Sequence, residues 1–350
     1  MRVAAAAVVL LLLPLGLQAL GTHWVRIADS CLLYVILALG MNVVVGCAGL
    51  LDLGYVAFYA VGAYLAALLA SPHLASHAWI AALFPAGLHA PWWITLPLAA
   101  SLAAGFGALL GAPTLRLRGD YLAMVTLGFG EIVRILINNL GQPVNVTNGA
   151  QGIGRIDAVT LLGIDLGKPW SIGDHVVASV TLHYFLFLAL ALLTLVICRR
   201  LQDSRIGRAW MAMREDEMAA AAMGLPLRNL KLLAYAIGAS FGGVAGALFA
   251  GFQGYISPES FTLPESVFIV AAVVFGGIGH LRGVILGAVL LTALPELLRY
   301  VVNPVQAATD GRLDAGILRQ LLVALAMIVT MLLRPRGVWP APEPAATTIQ

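Results

Sequence analysis

The chain has 350 residues, of which 61% are hydrophobic and 11% are charged, and its formal net charge is +3. Soluble domains typically contain about 45–50% apolar and about 25% charged residues. The composition therefore excludes an ordinary water-soluble fold and indicates a protein whose solvent is lipid. The basic residues form clusters rather than a basic face, which argues against a nucleic-acid partner.

The first apolar run follows Arg2 and extends to Leu20. One basic residue followed by an apolar stretch also describes a cleaved signal peptide. We favour a retained helix, because the run has roughly the 18–20 residues that span the hydrocarbon core of a bilayer.

Ten apolar runs in all are long enough to cross a membrane. They lie near residues 3–20, 29–46, 53–70, 92–112, 119–139, 179–198, 229–251, 265–281, 283–302 and 316–333. A spanning helix is expected for each, because lipid leaves every backbone amide to be satisfied within its own segment. The predicted fold class is therefore all-α, a polytopic membrane helix bundle with about ten transmembrane helices. The run at 265–281 has the shortest apolar core and is open to a re-entrant interpretation.

The distribution of Lys and Arg predicts the orientation, since cytoplasmic connections carry an excess of both. Ten crossings with both termini in the cytoplasm place thirteen of the twenty basic residues inside. These are Arg2, Arg116, Arg118, Arg199, Arg200, Arg205, Arg208, Arg214, Arg228, Lys231, Arg282, Arg334 and Arg336. A re-entrant segment at 265–281 would move the last two outside, so we treat that run as a span.

The domain organisation is a single transmembrane domain, residues 1–336, with two long connections. Residues 140–178 are rich in Gly, Asn and Asp and are predicted to form an external loop. Residues 199–228 are predicted to be cytoplasmic; they are dense in charge, helix-forming and closed by Gly224 and Pro226 as a helix stop. The tail, 337–350, has no apolar run and is predicted to be a disordered cytoplasmic segment.

Several kinds of site are missing from the sequence. The three cysteines, Cys31, Cys47 and Cys198, are odd in number and form no C-x-x-C, so neither a disulfide framework nor a zinc site is indicated. No G-x-x-x-x-G-K-[ST] is present, so the chain does not bind ATP through a P-loop. We expect no catalytic residues, no metal and no cofactor on this chain, and an energy source on other chains.

Two polar residues lie near the junction of the second and third runs: Asn42 within the second run and Asp52 between the two. Asp52 stands among four glycines in GCAGLLDLGYVAFYAVGAY, residues 46–64. It either accepts hydrogen bonds from the first amides of the next helix or belongs to a broken helix that lines a translocation pathway. Asn42 is a further pathway candidate, although a hydrogen bond between helices is the simpler interpretation.

Two E-x-x-R pairs lie inside predicted spans: Glu131 with Arg134, and Glu296 with Arg299. A spacing of three residues places both members on one helical face, close enough to form an ion pair. Each pair falls roughly 18–24 Å from the cytoplasmic end of its span, in the outer half of the membrane. The pairs are either structural anchors or a polar rim on the pathway.

The cytoplasmic segment contains REDEMAAAAMGLP, in which Arg214 and three acidic residues precede a run of alanines. A helix of this shape suits docking into a groove of another protein. The alternative is a solvated connecting helix that carries the positive-inside charge.

Three stretches together resemble a known family. Residues 38–69, 115–139 and 257–291 are similar to the membrane subunits of bacterial branched-chain amino-acid ABC importers, and more narrowly to the second of their two permease subunits. The similarity runs from about residue 30 to residue 335 and keeps several motifs in order.

The resemblance implies a multi-pass permease of the bacterial cytoplasmic (inner) membrane that carries branched-chain amino acids and is not itself an enzyme. It also implies three kinds of partner: a second homologous permease subunit in a heterodimer, two ATP-binding subunits that hold ATP and Mg, and an extracytoplasmic substrate-binding protein. The family's coupling motif, E-x-A-A-x-x-x-G, matches Glu217, Ala219, Ala220 and Gly224, with Arg214 just before it.

Alternative functions remain open from the sequence. Urea or short amides would be substrates of the same family. A stand-alone ion-coupled carrier, a membrane enzyme and an accessory scaffold are alternatives from other classes.

Overall fold

The computed structural model describes residues 2–76, 82, 87–114, 119–142, 144–161, 164–172, 175–308, 314–334 and 337–339. Its α-helices within these residues are α1 (Arg2–Leu20), α2 (Thr22–Met41), α3 (Val56–Leu69), α4 (Trp92–Thr114), α5 (Asp120–Asn139), α6 (Ser179–Asp203), α7 (Arg205–Glu215), α8 (Glu217–Ala222), α9 (Leu227–Gln253), α10 (Leu263–Gly276), α11 (Leu281–Ala308) and α12 (Ala315–Leu333). A π-helix, Asn42–Cys47, continues α2.

Each of the ten apolar runs coincides with a helix, so the predicted membrane helix bundle is confirmed. Eight helical segments among the described residues are long and apolar enough to cross a bilayer, and two shorter ones lie at Leu10–Ala19 and Val56–Leu69. The run at 265–281 forms α10, which is only 14 residues long. The cytoplasmic placement of both termini stays a prediction.

The two ends of the bundle are marked by the two long connections. We call the end that carries α7 and α8 the α7 end, and the end that carries residues 140–178 the loop end. Helix α6 joins them, because it begins directly after the loop and ends directly before α7.

Helix α2 lies at the centre of the bundle, and most of its apolar length is buried by neighbouring helices. Helix α9 packs along α3 and α4, while α12 has no buried residue in its apolar window and packs mainly against α11. A helix that is apolar on all sides is stable inside a bundle or in lipid. The central helices therefore fill the core, and α12 lies on its rim.

Two helical hairpins each contain a second helix that begins inside the bundle, after a stretch without α-helix. They are called the broken hairpins below. The π-helix is followed by a non-helical stretch, 48–55, and then by α3; α9 is followed by residues 254–262 and then by α10. The two helix starts meet, because Val56 N donates to Ser266 Oγ at 3.4 Å and the rings of Tyr59 and Phe261 lie 5.1 Å apart. From there α3 runs to the loop end and α10 to the α7 end, so the hairpins have opposite directions.

The loop at 140–178 contains short strands that the sequence analysis did not predict. Strand β1 (Ile153–Gly154) pairs antiparallel with β6 (Tyr255–Ile256), which follows α9. Two further antiparallel pairs, β2 (Thr160–Leu161) with β3 (Ile164–Asp165) and β4 (Trp170–Ile172) with β5 (His175–Val177), lie within the loop itself. The loop is thus an ordered cap tied to the second hairpin.

The predicted disordered tail begins with an ordered piece. Val338 N donates to Phe275 O at 2.9 Å and Trp339 N donates to Gly276 O at 3.2 Å, which satisfies carbonyl groups at the end of α10. Disorder was therefore wrong for residues 337–339, and residues 340–350 lie outside the described part of the chain.

The packing of α3 on α9 predicts a sensitive position. A Cβ atom at Gly62 would lie 2.5 Å from the Cα of Gly243. We expect Gly62→Ala to destabilise the bundle by about 1–3 kcal/mol, the usual cost of overpacking, seen as a lower thermal unfolding temperature in detergent. Gly105→Ala on α4 is the control, since no atom lies within 4 Å of its Cβ position. Equal unfolding temperatures would contradict this packing.

Candidate functional site

Asn42 joins the two hairpins at the α7 end. Its Oδ1 accepts a hydrogen bond from Gly279 N at 2.9 Å, in the turn between α10 and α11. Its Nδ2 is buried and has no hydrogen-bond partner among the described residues. The residue therefore links two elements, which favours the interhelical interpretation of the two that the sequence offers.

Asp52 lies in the non-helical stretch before α3 and is fully buried. Its Oδ1 accepts from Gly54 N at 2.8 Å, two residues before the helix, and no side chain caps the start of α3. The helix-cap interpretation is therefore wrong, because the carboxylate bonds to an amide of the non-helical stretch and not to an amide of α3. Its Oδ2 has no partner among the described residues.

A small cavity of about 60 Å³ lies beside Asp52. It is enclosed mainly by apolar side chains of α3, α4, α5 and α9; its lining residues are Asp52, Gly54, Phe58, Leu110, Pro113, Val125, Thr126, Phe129 and Tyr235. Thr126, which lines this cavity, lies about 9 Å along α5 from the first residue of that helix. The carboxylate thus lies inside the bundle rather than at its surface.

Glu131 and Arg134 form the ion pair that their spacing predicts. Arg134 Nε donates to the two carboxylate oxygens of Glu131 at 3.0 and 3.1 Å, and a third hydrogen bond comes from Nη2. Glu131 also borders a narrow crevice with Val56 and Leu263, the first residues of α3 and α10. This pair lies at the meeting point of the two broken hairpins.

Glu296 and Arg299 lie in a different environment. Glu296 approaches Arg299 at 3.9 Å and His23, in the first turn of α2, at 3.6 Å. Next to them, Trp24 stacks on Tyr300 with ring centroids 5.5 Å apart. This pair therefore lies away from the broken hairpins. Of the two interpretations that the sequence offers, the contacts favour a structural anchor, which joins α2 to α11 at the loop end.

The segment at 199–228 contains the end of α6, the helices α7 and α8, and the first residues of α9. Asp216 ends α7 and caps α8, since its carboxylate accepts from Met218 N and Ala219 N. Helix α7 is attached to the bundle through the fully buried Trp210, whose Nε1 donates to Leu230 O at 2.8 Å, and through Arg214, whose Nη1 donates to Gly46 O.

The residues of the coupling motif point in two directions. Glu217 forms an ion pair with Lys231 of α9, and Ala220 is buried. Ala219 and Gly224 are exposed, and Gly224 has φ +81°, a conformation that lets the chain turn from α8 toward α9. The motif therefore has an inner side that holds α8 and an outer side that faces away from the bundle.

The outer side also carries two methionines that the sequence analysis did not single out. Met218 is 66% exposed and Met223 is 83% exposed. Exposed methionines are common on protein-binding surfaces, because their side chains adapt to a partner. The surface formed by Met218, Ala219 and Met223 is called the methionine face below.

Other polar residues that lie between helices were missed. Asp29 in α2 is fully buried, and neither carboxylate oxygen has a partner among the described residues. Glu265 in α10 accepts a hydrogen bond from Tyr34 of α2, and Gln202 Nε2 donates to Gly279 O at 3.2 Å. Ionisable residues inside apolar runs are unusual enough to be noticed from sequence, and this rule would have found Asp29 and Glu265.

The described residues contain no group of three or more His, Cys, Asp or Glu side chains that could hold a metal ion. The geometry instead combines lipid-spanning helices, two hairpins broken in the interior and an ion pair at the break. Discontinuous helices of this type form the binding sites of many transporters. The architecture is that of a polytopic membrane transport protein.

Comparisons with known proteins agree with this class. A family model described as branched-chain amino acid transport system / permease component matches residues 24–332. The high-affinity branched-chain amino acid transport system permease protein LivM of Escherichia coli strain K12 is 43% identical over 332 residues, which cover 91% of this chain and 71% of that protein. The corresponding permease protein LivH of Salmonella typhimurium is 27% identical over 311 residues, covering 86% and 92%. No solved structure matches the chain.

The chain therefore belongs to the branched-chain amino acid permease family, as the sequence resemblance implies. It is a multi-pass permease subunit of the inner membrane.

The Glu217–Lys231 ion pair generates a stability prediction. The side chain of Lys231 is 7% exposed, so Glu217→Gln would leave a nearly buried ammonium group without its carboxylate. We expect this change to weaken the attachment of α8 by about 3 kcal/mol, measured as faster limited proteolysis within 199–228. The double variant Glu217→Gln/Lys231→Met removes both charges and is expected to restore protection; equal proteolysis of all three proteins would contradict the ion pair.

Proposed function

We propose that this chain is one of two homologous permease subunits of an ATP-driven importer, and that the importer carries branched-chain amino acids into the bacterial cytoplasm. The observation that carries this proposal is the α7–α8 unit, a helical pair held on the bundle by Trp210 and Arg214 with its methionine face exposed. A chain without a P-loop needs such a surface to receive work from ATPase subunits.

The pathway is proposed to pass the meeting point of the two broken hairpins. The first turns of α3 and α10 leave amide groups that carry partial positive charge, which suits the carboxylate of an amino acid. Glu131 and Arg134 lie directly beside these turns. We propose that Asp52 supports these turns from behind without contacting the substrate, and that Asn42 joins the two hairpins. Glu296 and Arg299 are proposed to lie outside the pathway and to anchor α11 to α2.

Coupling is proposed to run through the α7–α8 unit. The methionine face and Gly224 would contact an ATPase subunit, while Arg214, Glu217 and Ala220 hold the unit on the bundle. ATP and Mg belong to two ATP-binding partner subunits, and an extracytoplasmic substrate-binding protein delivers the amino acid at the loop end. Hydrolysis moves the permease only if the ATPase pair binds its two conformations with different affinity.

The test is uptake into proteoliposomes that contain the complete importer, with labelled leucine outside together with the binding protein, and ATP inside. We expect uptake that needs ATP and is inhibited by isoleucine and valine but not by urea. Uptake by the permease chains without ATPase subunits would refute the ATP-driven mechanism in favour of an ion-coupled carrier, and inhibition by urea would refute the substrate assignment.

The coupling surface has its own variant. Met218→Asp/Met223→Asp places two charges on the methionine face, and we expect the ATPase subunits to be lost from the purified complex and uptake to fall to the level without ATP. Arg208→Gln changes an exposed residue of α7 and serves as the control. Full uptake by the methionine double variant would show that the ATPase docks elsewhere.

A further inference from the structure

One face of α5 is exposed in the single chain. The helix packs against the bundle through side chains such as Val133 and Ile137, which are buried, while its opposite face is exposed in the first two turns and again from Ile132 onward. The large exposed residues of that face are Tyr121, Met124, Val125, Ile132, Ile135 and Leu136. This set is called the α5 face.

The Glu131–Arg134 ion pair reaches the same exposed surface. The side chain of Glu131 is 38% exposed and that of Arg134 is 33% exposed. They lie about 17 Å and 21 Å along α5 from its first residue, at the depth of the hydrocarbon core. Charged groups at this depth face protein or water, because lipid contact costs several kcal/mol. The surroundings of the α5 face therefore include polar groups.

Helix α12 shows what a lipid-facing helix of this chain looks like. Its polar residues Arg319 and Gln320 lie in the first two turns, near the loop end, and its exposed residues from Leu321 to Leu333 are all apolar. Helix α5, by contrast, places the Glu131–Arg134 ion pair in the middle of its length. An ion pair at this depth suits a protein neighbour on α5, whereas the apolar exposed residues of α12 suit lipid.

Gly128 lies in the middle of the α5 face. No atom of this chain comes within 4 Å of the position that its Cβ would occupy. A glycine at a helix surface in lipid allows another helix to approach closely. The open space at Gly128 thus lies between the two halves of the α5 face, where a partner helix would cross.

We propose that the α5 face is the interface with the second permease subunit, and that the Glu131–Arg134 pair lines a polar seam between the two chains. This inference rests on the proposed function, which supplies a homologous partner. A homologous chain offers an equivalent face, so the two faces meet about a pseudo-two-fold axis and each α5 ion pair finds polar groups across the seam. A purely apolar partner would leave the pair without them.

The test uses a photo-reactive benzophenone amino acid at one of two matched positions in the complete importer. Ile132 on α5 is 60% exposed and Leu321 on α12 is 61% exposed. Both lie about 18 Å from the α7 end of their helices, so they differ in helix but not in depth or exposure. We expect illumination to join Ile132 to the second permease subunit and to produce no permease adduct at Leu321.

Three results would overturn the interface. These are lipid adducts alone at Ile132, a second-permease adduct at Leu321, and an adduct of Ile132 with another copy of this same chain. ATP-driven uptake by the unmodified complex is measured in the same preparation. If one of these three results is found while the unmodified complex shows ATP-driven uptake, only the interface is refuted. If the unmodified complex shows no ATP-driven uptake, the proposed function is refuted.

A glycine variant gives an independent measurement. Gly128→Leu adds a side chain where this chain has empty space, so we expect the variant to keep the unfolding temperature of the isolated subunit but to lose the second permease on co-purification. Gly16→Leu on α1 is the control, because its Cβ position is equally open. Normal co-purification of the Gly128→Leu variant would contradict the proposed interface.

Discussion

Lipid offers no hydrogen-bond partner to a peptide group, so every interruption of a helix inside this bundle needs acceptors and donors from the protein. In the break before α3, Gly54 N bonds to the carboxylate of Asp52 and Val56 N bonds to the hydroxyl of Ser266. The break before α10 is satisfied in part by the pairing of β6 with β1. These bonds fix two helix starts against each other in the interior, and the proposed pathway depends on that arrangement.

The two E-x-x-R pairs show how tertiary surroundings separate identical local motifs. Both pairs form on one helical face, as the spacing predicts. Glu131 lies beside the first residues of α3 and α10, whereas Glu296 lies beside His23 at the loop end. Sequence spacing determines that the pair forms, but the packing of distant helices determines what the pair faces.

The helices were predictable because apolar runs of sufficient length have few other structures available in lipid. The break before α3 was visible as a glycine-rich stretch, yet the partner of Asp52 depends on backbone geometry that the sequence alone does not determine. Lys231 was counted among the cytoplasmic charges, but it is nearly buried and neutralises Glu217. The short strands of the loop escaped prediction because two or three residues show too little periodicity to indicate a strand. The ordered start of the tail escaped because its hydrogen bonds depend on the end of α10.

Gly279 is bonded on both sides: its amide donates to Asn42 and its carbonyl accepts from Gln202. Arg214 holds α7 to the carbonyl of Gly46, one turn beyond Asn42. The π-helix of the first hairpin and the turn after α10 in the second are thereby connected by hydrogen bonds to each other, and the π-helix is also connected to α7. A displacement of α7 would therefore act on both hairpins at once, because the three elements share these hydrogen bonds.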